Sequence, residues 1–122
     1  MHPNLIFAAV KSVFPEANRS VKFFKIPISK ISDSPTILFD MNRPGYEFGE
    51  DEPEDIFDWI DPKKYEEITK VPTEAIEFYQ EWKTRGEPGA PAWGKIPHVL
   101  AKGPINISSC EIIDWRDSIK KV

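Results

Sequence analysis

The chain is poor in the residue types that carry most cofactor and catalytic chemistry. It has one cysteine, Cys110, among 122 residues. An internal disulfide and any multi-cysteine zinc site are thereby excluded. The two histidines, His2 and His98, lie far apart in sequence, and His2 is expected to be exposed near the first residue. A histidine zinc site would need acidic helpers, and none stands at a recognisable spacing. The six glycines are scattered, so no Gly-rich phosphate-binding fingerprint occurs. A serine nucleophile elbow is missing as well. The longest apolar run, residues 5–10, falls far short of the roughly 20 residues a membrane helix needs. The opening Met1-His2-Pro3-Asn4 lacks the basic residues and small-residue cleavage site of a secretory signal. No internal repeat or low-complexity tract is visible. These absences set the expectations: no cofactor, no metal, no catalytic residue, no membrane and a cytoplasmic setting.

What is present describes a globular domain. Hydrophobic residues make up 40% of the chain, charged residues 30% and aromatics 12%, with four Trp and eight Phe. So many aromatics argue against disorder. A chain of this length buries roughly two-thirds of the surface its unfolded form exposes, enough for one core. One domain over residues 1–122 is expected.

Charge is unevenly placed. Residues 1–39 carry a net +3 and residues 62–122 a net +1, whereas residues 40–61 hold nine acids and one arginine, a net −8. Asp40, Glu47, Glu50, Asp51, Glu52, Glu54, Asp55, Asp58 and Asp61 supply that charge. Such a stretch focuses a field that steers a partner of opposite sign. The plainer reading is a solvated acidic loop and helix start that keep the protein dissolved.

The order of elements reads as α+β: a small antiparallel sheet of about three or four strands packed with about four helices. Asn4 can cap a helix over residues 5–14, whose Leu5, Ala8, Ala9 and Val13 lie close to one face, and Pro15 stops it. Residues 20–28 are β-branched and aromatic and read as a strand with a slip at Phe23-Phe24. Residues 36–41 form a second strand. The short polar link over 29–35 predicts that the two are antiparallel neighbours. Arg43-Pro44-Gly45-Tyr46 has the Pro-Gly pair of a type II turn. A short helix is expected from Asp51 or Glu52, with Pro53 at its first position and Ile56, Trp59 and Ile60 buried. Asp61-Pro62 looks like the cap of a further helical stretch over 62–70. The clearest element is a helix over 73–85, with an Ala75, Phe78, Tyr79, Trp82 stripe, a Glu81–Arg85 pair and Gly86 as terminator.

Residues 85–97 hold three Gly and three Pro and read as a long loop. Trp93 within it is either a plug folded onto the core or a recognition residue. Residues 98–101 read as a strand. Residues 105–108 alternate like another. Ser108 and Glu111 then have capping-box spacing, and Ile112, Trp115 and Ile119 recur at helical intervals, so a final helix is expected. One longer strand over 105–113 is the alternative.

Three chemical readings compete with the plain domain. Cys110 and His98 could form a nucleophile pair, but a small buried thiol next to a strand is the favoured account of Cys110. Glu81-Trp82-Lys83, with Asp61 upstream, has the letters of a metal-dependent nuclease or phosphodiesterase; about two such Glu-x-Lys triplets are expected here by chance, and the helical position of Glu81 suits it poorly. Lys22, Phe23, Phe24, Lys25 and Lys30 have the ingredients of a base-stacking platform, but a sequence pI near 5.2 opposes phosphate binding, and direct nucleic-acid binding is not expected.

The reading that uses the charge pattern is a non-enzymatic protein-interaction domain. Carboxylates interleaved with Tyr46, Phe48, Phe57 and Trp59 suit a basic protein partner: charges speed encounter and aromatic anchors supply affinity. Tyr46, Glu50, Asp51, Glu54, Asp55, Asp58 and Trp93 are the candidate partner-binding residues. Occlusion of a basic, nucleic-acid-binding groove, as by an inhibitor or immunity-type protein, would need no cofactor. A structural or assembly subunit would have the same composition.

Overall fold

The computed structural model describes residues 1–40, 42, 57–88 and 92–118. Two α-helices and five strands are found among them: α1 (Pro3–Val13), β1 (Lys22–Lys25), β2 (Thr36–Phe39), β3 (Phe57–Ile60), α2 (Thr73–Arg85), β4 (His98–Ala101) and β5 (Glu111–Asp114). The strands form two separate antiparallel sheets, a ribbon of β1 and β5 and a three-stranded sheet in the order β3-β2-β4. The fold is α+β, with fewer helices than the expected four and two small sheets in place of one.

Helix α1 begins two residues earlier than its sequence pattern suggested. His2 is the N-cap, and its Nδ1 accepts from the Asn4 N–H at 3.1 Å. Asn4 lies inside the first turn, where its side-chain amide donates to the Trp115 carbonyl at 3.0 Å. Pro3 occupies the position where a missing N–H costs nothing. Helix α2 matches its expected bounds. Gly86 closes it at φ +71°, a left-handed conformation that disfavours a Cβ. The two helices are tied at one end by Lys83, whose Nζ donates to the Val13 carbonyl at 2.7 Å. A cation there also complements the negative end of α1.

The core lies between the helices and the chain's last described segment. Ile6, Ala9, Val10 and Val13 of α1 pack with Ala75 and Tyr79 of α2, and Val71, Ala92, Ile96 and Trp115 complete the cluster. Tyr79 is fully buried, and its hydroxyl donates to the Ala92 carbonyl. Burial raises the phenol to about 12, so it stays a neutral donor. Trp115 is the hub: its ring lies 5.2 Å from Phe7 and 5.4 Å from Trp93, and its indole N–H donates to the Arg19 carbonyl at 2.6 Å.

Three expectations are corrected by strand pairing. First, β1 and β2 are not neighbours. Lys22-Phe23-Phe24-Lys25 pairs instead with Glu111-Ile112-Ile113-Asp114, which places Lys22 opposite Asp114 and Lys25 opposite Glu111. Two unlike charge pairs flank two apolar pairs, a match that no link of six or seven residues could reveal. Second, the C-terminal segment that reads as a helix is β5. Asn106 stops the helical start: its Oδ1 accepts from the Ser108 N–H and hydroxyl, an Asx turn in place of the expected capping box. Residues 105–108 form this turn region and not a strand. Third, Phe57-Asp58-Trp59-Ile60 is a strand, not a helix with Trp59 and Ile60 buried; residues 51–56, where that helix was to start, and the turn at 43–46 lie outside the described residues. Asp61 does act as a cap, accepting from the Lys63 N–H at 3.0 Å, but the helical stretch after it is one 3-10 turn, Pro62–Lys64.

Candidate functional site

The three-stranded sheet stands apart from the main core, and only Thr36 among its residues is buried. Its register places Trp59 and Leu100 on either side of Ile37, and Phe57 and His98 on either side of Phe39. Side chains directly opposite one another share a face, and alternate residues along a strand do too. One face of the sheet therefore carries two rows: Trp59, Ile37, Leu100 and Phe57, Phe39, His98. Trp59 is 71% exposed and Leu100 48% exposed. The Phe57 and Trp59 rings meet edge to face at 6.2 Å. At about 4.8 Å between strands, each row spans roughly 10 Å. Exposed aromatic surface of this kind on a small domain calls for an explanation, because Trp is costly to leave in water.

The acidic stretch is joined to this sheet. Phe39 and Phe57 are direct partners in the β2–β3 ladder, so residues 40–56 leave and re-enter the sheet at one end. Seven of the nine acids lie in that connection, and Asp58 and Asp61 come on and just past β3. Asn42, the one described residue of the connection besides Asp40, is held to the main body by an Nδ2 bond to the Lys95 carbonyl at 2.8 Å.

Of the residues picked out as partner-binding, Tyr46, Glu50, Asp51, Glu54 and Asp55 lie outside the described residues. Asp58 is exposed on β3, on the face opposite Trp59. Trp93 packs as a plug: it is half-buried against the core, with its ring 5.4 Å from both Phe23 and Trp115. Sequence reasoning gave Trp59 two readings, an aromatic anchor and a member of a buried helical stripe, and left it out of the candidate residues. The signal was present in the alternation of Phe57 and Trp59 with Asp58, which fits a half-exposed strand.

The other chemical readings gain little from the geometry. Lys83 of the Glu-x-Lys triplet is bonded to the Val13 carbonyl, and Glu81 lies 4.0 Å from Arg85 on the outside of α2. Among the described residues, no three His, Cys, Asp or Glu side chains gather where a metal ion could be held. His98 is on β4 while Cys110 precedes β5, in different sheets. The basic-aromatic strand divides its rings, Phe23 turning inward to Trp93 and Phe24 outward, and its lysines face Asp114 and Glu111. A cleft of about 360 Å³ at the end of this ribbon is lined by Lys25, Lys30, Cys110 and Glu111, but it is open and Lys30 is already bonded to the Asn106 carbonyl at 2.7 Å. Asp114 is held well below the usual carboxylate range by Arg116 and then by Ser20, a local clamp at the ribbon's end. Among the described residues, no helix is long and apolar enough to cross a membrane. No family model, curated protein or solved structure matches the chain.

Proposed function

We propose that this protein is a non-enzymatic interaction domain whose acidic, aromatic surface binds a basic protein partner. The observation that carries the reading is Trp59, 71% exposed at the outer end of an apolar row and on the strand that follows the acidic connection. Long-range attraction from the carboxylates brings a basic surface to the sheet, and burial of Trp59 with Leu100 holds it there. Blocking a nucleic-acid-binding groove is the role that best uses such charge, in the manner of an inhibitor.

The test is capture from extract of the source cells at low and high salt. Wild type is compared with Trp59→Ala and with a variant whose Glu50, Asp51, Glu54, Asp55 and Asp58 are changed to amides. One basic protein retained by wild type and lost by both variants supports the reading, and its activity is then assayed with and without the domain. A partner retained equally by all three, at both salts, would instead favour an assembly subunit using another surface.

A further inference from the structure

Resting on that reading, the sheet also indicates the form in which the partner docks. Lys102, directly opposite Pro35 beyond the β2–β4 ladder, donates its N–H to the Pro35 carbonyl at 2.9 Å. In an antiparallel pair, bonded and non-bonded opposite residues alternate. Ile37 and Phe39 therefore bond to β4, and Thr36 and Leu38 bond to β3 through Ile60 and Asp58. The backbone N–H and C=O groups of Phe57 and Trp59 are left pointing away from β2, along the outer edge of β3. Among the described residues, no strand pairs with that edge and no backbone group bonds to those of Phe57 or Trp59. The same residue, Trp59, thus offers an exposed ring and two backbone groups to which no described residue bonds.

We infer that β3 accepts an added antiparallel strand from the partner, one that alternates apolar residues with Lys or Arg. Strand addition takes its affinity from main-chain bonds and its specificity from alternate side chains. On such a strand the apolar residues lie beside Trp59 and Phe57, and the basic residues lie on the side of Asp58. Charge selects this occupant over a second copy of the chain, because a β3–β3 pairing would bring two net −8 stretches together. A four-residue edge is also short, which discourages pairing without side-chain help.

The probe is a short end-capped peptide of alternating Lys and Val, titrated into the ¹⁵N-labelled full chain at low salt. Two further peptides carry backbone N-methyl groups, on the Val residues in one and on the Lys residues in the other. The Val opposite Trp59 must direct its N–H at β3, so methylation of the Val set weakens binding at least about tenfold, whereas methylation of the Lys set leaves it unchanged. Protection of the Phe57 and Trp59 amides from exchange appears with the parent peptide, and Trp59→Ala weakens binding at least about tenfold. Equal binding of both methylated peptides, with the Trp59→Ala effect kept, would overturn strand addition while leaving the basic-partner reading intact. Binding indifferent to Trp59→Ala would overturn both. No binding at millimolar peptide would overturn strand addition, and the capture experiment would then judge the broader reading separately.

Discussion

Trp115 and Trp59 should respond very unequally to the same substitution. Trp115 is 6% exposed, packs against Phe7 and Trp93, and donates its indole N–H to the Arg19 carbonyl. Truncation to alanine removes that packing, leaves a cavity beside α1 and strands a carbonyl. A buried Trp→Ala change costs about 3–5 kcal/mol. At roughly 0.05–0.15 kcal/mol per residue a chain of this size has about 6–18 kcal/mol of total stability, so Trp115→Ala should consume a large share of it. Trp115→Phe keeps most of the ring and loses the hydrogen bond, for about 1–2 kcal/mol. Trp59 is 71% exposed and has the Phe57 ring as its edge-to-face neighbour. Its truncation should cost about 1 kcal/mol or less. Urea denaturation followed by far-ultraviolet circular dichroism, which does not depend on the deleted fluorophore, reads all three. A loss at Trp59 as large as that at Trp115 would refute the division into a core tryptophan and a surface one.

Other positions give sharper local tests. Tyr79→Phe leaves the buried Ala92 carbonyl without its donor and should cost about 1–2 kcal/mol in the same urea assay. Gly86→Ala meets no neighbouring atom but imposes a Cβ at φ +71°, so the expected loss of about 1 kcal/mol comes from backbone strain alone. Asp114 has its folded pKa lowered from the ordinary 3.8, so its contribution is complete above that value and is lost as pH falls through the folded value. Acid titration of stability should therefore fall less steeply for Asp114→Asn than for wild type below about pH 4.

Local signals were legible where the chain decides its own conformation. The α2 stripe, the Gly86 terminator, the Asp61 cap and the strand at residues 98–101 could all be read from neighbouring residues. What was hidden depended on distant ones. Ile112, Trp115 and Ile119 recur at a helical interval, yet Lys22-Phe23-Phe24-Lys25 offers residues 111–114 a charge-matched partner about ninety positions away. Trp59 fits a helical stripe with Ile56 and Ile60 until β2 is seen beside it, when the same residue belongs to an exposed row. The acidic stretch was plain in the sequence. Its role as the connection between two strands of an aromatic sheet was not, because that depends on the pairing of Phe39 with Phe57. Trp93 shows the converse: a loop tryptophan that could have been a recognition residue packs against the core.

The central claim is that the face around Trp59 meets a basic protein, and photo-crosslinking addresses it most directly. p-Benzoylphenylalanine would be installed in place of Trp59 or, as a control, in place of Ile112, another exposed apolar residue but on the separate ribbon. Irradiation in extract of the source cells at low salt, followed by identification of the adduct, gives the answer. The account predicts one basic protein crosslinked from position 59, absent from position 112 and lost when the acids at 50, 51, 54, 55 and 58 are changed to amides. The same adduct from both positions, or one at position 59 that survives removal of those acids, would contradict it.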